Sequence, residues 1–276
     1  MENLINGLKN NRAFAFSSFL VLLLLGIALA APLIAPYDPL EAVMKNAYLP
    51  PSIEHLFGTD KLGRDNFSRV LYGASYSLSS VLILVAIIFV VGTSLGVLAG
   101  YFGGKVDTVI MRISDMMISF PGMILAIAIA GILGGSLINA IIALTIVTWT
   151  KYARLARSMV LKIKKRDFVE AAVVNGGKSV HILWRHIVPN ILPLMVVTAA
   201  SDIGAMMMEL AGLSFLGFGS QPPAPEWGLM LNEGRQQQQT APWLMVFPGL
   251  AIFLTVVVFN LWGDALRDVL DPRQDD

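Results

Sequence analysis

Six runs of predominantly apolar residues divide this chain, most of them about as long as a helix needs to be to cross a lipid bilayer. A hydrocarbon core about 30 Å thick takes about 20 helical residues. The runs cover about Phe14 to Ala35, Ser77 to Gly100, Ile113 to Leu133, Leu137 to Tyr152, Pro189 to Leu210 and Trp243 to Gly263. Lipid offers no partner to backbone N–H and C=O groups, so runs of this length predict helices, which satisfy those groups internally. The expected class is an all-α polytopic integral membrane protein with six transmembrane helices. Composition agrees: of 276 residues, 55% are hydrophobic and only 14% charged, against about 25% charged in soluble domains. The balance excludes a disordered chain. A net charge of +1 provides no basic excess for nucleic acid. With no cysteine there is no disulfide, thiolate metal site or cysteine nucleophile.

Ala28-Leu29-Ala30 looks like a signal cleavage site, but the apolar run before it exceeds a usual signal core, so the first run is read as a retained span. Basic residues orient the chain. With both termini cytoplasmic, fifteen of the twenty Lys and Arg lie inside, including Lys9, Arg12, Arg267 and Arg273 in the tails. Nine of these fifteen fall in one loop, from Lys151 to Arg185; outside are Lys45, Lys61, Arg64, Arg69 and Arg235. The chain divides into residues 1–76, carrying the N-terminal tail, first span and outer loop, and a core of five spans over 77–276. Residues after Asp65 show helical spacing at Phe67, Val70, Leu71, Ala74 and Leu78 and predict a short amphipathic helix, either on the outer interface or packed on the bundle. Gly92, Gly96 and Gly100 recur every four residues, a pattern for close helix packing in lipid.

Ala172 to Ser179 reads A-V-V-N-G-G-K-S, a loose version of a phosphate-binding loop. That chemistry needs a strand before the glycines, whereas Lys165 to Val174 favours a helix. The better reading is a helix over Asp167–Val174 stopped by Asn175-Gly176-Gly177, then a second short helix capped by Ser179 and running through Trp184, then the span from Pro189. Such a helix–turn–helix between two spans can pass force from a soluble partner into the membrane.

Glu170-Ala171-Ala172, Gly176 and Pro189 resemble the "EAA" loop of ABC-importer permease subunits. His186 and Val188-Pro189-Asn190 depart from the broad pattern and are similar to its peptide/nickel branch. Gly58-Thr59-Asp60 with Gly63-Arg64-Asp65, Gly100-Tyr101-Phe102-Gly103-Gly104, Ser214-Phe215-Leu216-Gly217, Pro225-Glu226-Trp227-Gly228, Phe247-Pro248-Gly249, Gly263-Asp264 and Asp271-Pro272 extend the likeness over nearly the whole chain. The resemblance implies a type I ABC importer permease fold in a bacterial inner membrane. It implies as partners a second, homologous permease, two cytoplasmic ATPases that bind ATP and Mg, and an extracytoplasmic solute-binding protein. ATPase coupling would then fall to Glu170, Ala171, Ala172, Gly176, His186 and Pro189, in a loop at about 151–189. No cofactor is expected on this chain itself. The cargo would be nickel, free or chelated, or a di- or oligopeptide, with a slight lean to nickel from Met206-Met207 and Pro242-Trp243-Leu244-Met245.

Inside the fifth span, Met195, Thr198, Asp202, Met206 and Glu209 share one helical face by their spacings. Ionisable groups are costly there and turn to a cavity or a partner. The stripe is therefore a candidate translocation path, with interhelical contact and ordinary methionine packing as the alternative. Arg112 and Asp115 are spaced for a local ion pair, and the cluster Lys162, Lys164, Lys165 and Arg166 fits lipid headgroups. His55, His181 and His186 are too dispersed for a metal site. Nothing reads as a catalytic set, so a transport subunit without its own ATPase is expected rather than an enzyme. The competing class is a self-sufficient channel or an ion-coupled secondary transporter.

Overall fold

The computed structural model describes residues 11–270; Lys9, Arg273 and Asp271-Pro272 lie outside them. The described residues are mostly helical, with a long irregular connection over 35–65, and their β-type pairing is an isolated bridge between Thr59 and Asp65. Ten helices follow in order: α1 Arg12–Ile34, α2 Asn66–Phe102, α3 Gly104–Ile118, α4 Gly122–Leu133, α5 Leu137–Ile163, α6 Asp167–Val174, α7 Ser179–Ile182, α8 Val188–Phe215, α9 Trp227–Gly234 and α10 Trp243–Leu270. Two 3₁₀ turns, Met44–Asn46 and Arg235–Gln237, lie in the connections.

Four helical stretches are long and apolar enough to span: α1, α2, Ser179–Phe215 and α10. The third expected span is broken, because α3 and α4 meet at 94° and count as one span only as a bent pair. The break falls at Ser119-Phe120-Pro121, where proline removes a backbone donor and bars the preceding residue from helix. The fourth, α5, is apolar only in its first half. It runs on past Tyr152 to Ile163 with Lys151, Arg154, Arg157 and Lys162 aboard, so much of the expected basic loop is helix.

The amphipathic segment after Asp65 is not a separate interfacial helix. Asp65 caps α2 by accepting from the Ser68 N–H at 2.8 Å, and the helix runs unbroken from Asn66 to Phe102. Its periodicity belongs to the span itself. The glycine stripe meets α5. A methyl group added to Gly92 would lie 2.5 Å from Tyr152 Cβ and 2.6 Å from Trp149 O; at Gly100 it would lie 2.8 Å from Val160 Cβ. At Gly96 it would collide with the Ala153 carbonyl oxygen. Trp149, Tyr152, Ala153, Ala156 and Val160 are all buried against this notch.

Ser179 is the first residue of α7 rather than its cap, and Lys178 holds the cap position without a side-chain bond. The chain then passes through a π-helical turn, Leu183–Ile187, directly into α8. Pro189 and Pro193 cannot donate to that ladder, and the widened turn, closed by Val188 N–H onto Leu183 O, takes up the strain just before Pro189. The main core cluster is shared by α2, α5, α8 and α10, with α1 packed on α2, and a smaller cluster of Phe14, Val197, Ala200, Ala265 and Leu266 joins α1 to α8 and α10.

Candidate functional site

Three polar constructions stand out on this apolar frame. The first is the α6–α7 segment. α6 carries Asp167 and Glu170 in its first turn, where the exposed N–H groups favour anions. It ends in a Schellman arrangement: Gly177 N–H donates to Ala172 O at 3.0 Å and Gly176 N–H to Val173 O at 2.9 Å. Gly176 sits at φ +77°, where a side chain strains the backbone. The helix before these glycines removes the geometry that a phosphate loop needs.

Val169, Ile182, Leu183 and Ile187 fasten the segment to the core, while Phe168, Val173, Val174, Val180 and Trp184 stay exposed. Val174 is 86% and Trp184 70% exposed. Glu170, Ala171, Gly176 and Pro189 are exposed beside them, and Ala172 and His186 are half-buried. The His186 ring lies 6.2 Å from Phe168 and 6.0 Å from His181. An open groove of about 530 Å³ runs between Lys178, Val180, His181, Trp184 and Arg185. Apolar groups gathered at an exposed turn rimmed by charge make a protein-docking surface.

The second construction lies between α5 and α8. Of the stripe expected to line a path, Met195, Asp202 and Met206 are buried against this chain's own helices. Thr198 and Glu209 are half-buried, and the Thr198 hydroxyl donates to Leu194 O at 2.8 Å. Lys151 Nζ, counted as a loop charge in the sequence, donates to Asp202 Oδ1 at 2.6 Å. The local Arg112–Asp115 pair does not form. Asp115 instead accepts from Arg154, whose Nε also donates to Ser114 Oγ at 3.0 Å, and Asp107 accepts from Arg157 Nε at 2.5 Å and from its NH2 at 2.6 Å. Both arginines therefore tie α5 to α3.

The third is a buried clamp in the α1–α2 loop. Asp60 Oδ2 accepts from Arg64 Nε and from Arg69 NH1, each at 2.6 Å. Glu233, at the end of α9, accepts from Arg64 NH2 at 3.2 Å and from Arg69 NH2 at 2.7 Å. Arg64 and Arg69 are among the largest fully buried side chains. Two guanidiniums and two carboxylates neutralise one another, which is what permits their burial. Beside them His55 Nδ1 lies 2.9 Å from Asp65 Oδ1. Glu226, the α9 cap, accepts from Gly228 and Leu229 N–H at 2.9 Å each, and its burial pushes the carboxyl above the usual range against the pull of those bonds. The sequence marked Asp60, Arg64 and Asp65 as a motif but gave no sign that Glu233, far along the chain, completes it.

Residues 92–276 match the family model described as binding-protein-dependent transport system inner membrane component. The chain belongs to this family. Residues 5–51 match the N-terminal TM domain of oligopeptide transport permease C. The chain is 44% identical over 266 residues to a dipeptide transport system permease protein of Alkalihalophilus pseudofirmus, covering 96% of this chain and 88% of that one. It is 43% identical over 254 residues to a nickel transport system permease protein of Escherichia coli, covering 92% of each. It is 48% identical over 258 residues to an E. coli glutathione transport system permease protein, covering 93% of this chain and 85% of that one. Among solved structures, the inward-facing MetNI methionine ABC transporter matches at TM-score 0.58 and 21% identity, over 74% of this chain and 97% of that one. That likeness is one of fold. As a member of the family, the chain is a multi-pass inner-membrane permease of an ABC transport system.

Proposed function

We propose that this chain forms one half of the translocation path of an ATP-driven importer, beside a homologous second permease. In this reading two cytoplasmic ATPases bind the ATP and Mg and dock on α6 and α7, and a solute-binding protein delivers cargo to the opposite face. The observation that carries the reading is the exposed apolar cluster of Phe168, Val173, Val174, Val180 and Trp184, set on a turn that runs without interruption into α8. Closure of the ATPases would push Glu170 to Pro189, and α8 would carry the displacement into the bundle. Both termini lie in the cytoplasm, as the loop charges suggest. The cargo is a small peptide or nickel, free or chelated, in keeping with the substrates that the relatives' names carry.

Copurification tests the docking role. Gly176→Asp meets no neighbouring atom and strains only the left-handed backbone at that one residue, by about 1–2 kcal/mol, while the docking surface gains a charge. The variant is expected to insert normally and to lose its ATPases. Retention at the wild-type level would refute the role of Gly176. Stable isolation without ATPases, with uptake driven by an ion gradient, would favour the self-sufficient transporter instead.

A further inference from the structure

Lys151 and Asp202 form an ion pair near the middle of α5 and α8. Each lies 14 residues along its helix from Leu137 and Val188 respectively, about 21 Å from the end at 1.5 Å per residue. The Lys151 side chain is 57% exposed, and Asp202 is 8% exposed. Within a membrane-spanning bundle, an ammonium facing lipid costs several kcal/mol. The open side of Lys151 therefore marks a surface covered by water or by another protein.

Neither partner is used up by the pair. Lys151 Nζ has three N–H groups and makes a single hydrogen bond, to Asp202, among the described residues. Asp202 Oδ2 is buried with no hydrogen-bond partner. Glu209, half-buried, stands on the same face of α8 two turns further on. The site thus holds spare donors on an exposed cation, fixed by a buried anion, with a second, half-buried carboxylate two turns along the helix.

We infer that Lys151, with Asp202, is a cargo-binding site that selects a free carboxylate. This rests on the importer reading above. The cargo carboxylate would accept from the unused Lys151 N–H groups, and a cargo ammonium or amide N–H would donate to Glu209, with Asp202 holding Lys151 in place. A bare divalent cation meets repulsion from Lys151, whereas a carboxylate-chelated one presents the same acceptor as a peptide C-terminus.

The test uses the complete importer, with its second permease, ATPases and binding protein, in proteoliposomes. The probes are dialanine, dialanine amide, nickel chloride and nickel citrate, each followed by ATP-dependent uptake. Wild type is expected to take up dialanine or nickel citrate, and to discriminate against the amide or the bare ion. Lys151→Gln should raise KM for the carboxylate-bearing probe about tenfold, the worth of one charge-assisted hydrogen bond, and erase the discrimination. Lys151→Arg should retain it, which separates charge from mere packing. Which probe responds tells a peptide terminus from a chelate. Unaltered discrimination in Lys151→Gln, or wild-type uptake confined to the amide, to bare nickel or to none of the probes, overturns the site. Loss of ATPase copurification in wild type would instead strike the importer reading.

Discussion

Arg69 NH2 lies 2.7 Å from Glu233 Oε2 although 164 residues separate them. The contact joins the start of α2 to the end of α9. Because Arg69 also holds Asp60, its removal leaves two buried carboxylates facing Arg64 and, at 4.0 Å from Glu233, the half-exposed Lys61. Arg69→Ala is expected to cost about 3–5 kcal/mol, the usual penalty for breaking a buried pair from one side. Thermal unfolding in detergent would show this, and Arg69→Met with Glu233→Gln together should cost less than the two single changes summed.

The notch between α2 and α5 makes a second expectation. Gly96→Ala drives a methyl group into Ala153 and should destabilise by about 1–3 kcal/mol, the range for overpacking. Gly26, in α1, has no atom within 4 Å of the point where an added methyl group would sit. Gly26→Ala should be neutral or stabilising by about 0.5–1 kcal/mol. Comparing melting temperatures of the two variants checks both.

On the proposed docking surface, Val174→Lys and Trp184→Ala alter side chains that are mostly exposed. Both should leave the melting temperature unchanged and lower ATPase retention, with Trp184 giving the greater loss because it removes more apolar area.

Glu226 supplies a pH dependence. Its carboxyl is raised in the fold relative to the unfolded chain by burial, so between the two values the folded state binds the extra proton. Stability from this group is therefore present at acid pH and is lost as pH rises through the raised value. Glu226→Gln, which cannot titrate, should flatten that part of the profile of melting temperature against pH.

Cysteine labelling tests orientation. The chain has no native cysteine, and Ile53 is 98% exposed, as is Lys178 to a lesser degree. An impermeant maleimide applied to intact cells should label Ile53→Cys and spare Lys178→Cys. The reverse pattern would invert the topology.

What can be read from the sequence is whatever is local. Asp167–Val174 and its glycine stop follow from propensity and cap chemistry, and the glycine stripe from simple spacing. The break between α3 and α4 is hidden because Pro121-Gly122 lies within a run that stays apolar on both sides, and hydropathy does not register direction. Lys151 reads as a loop residue because a charge ends an apolar window, although α5 continues through it; its partner is 51 residues away. Asp115 shows the same limit, since Arg112 is near in sequence but Arg154 is nearer in space. The EAA residues can be named from their order, but the apolar cluster that flanks them emerges only when α6 and α7 are folded against the core.

The glycine notch also bears on how the bundle can move. Three successive turns of α2 are seated against backbone and Cβ atoms of α5, so neither helix can slide or roll without lifting out of register. The pair behaves as a single rigid lever. α5 leads by Lys164 to Arg166 into α6, while α7 leads into α8, so a push on the turn between them is delivered at two points. Under the proposed coupling, the response that keeps this packing intact is a tilt of α2 and α5 together.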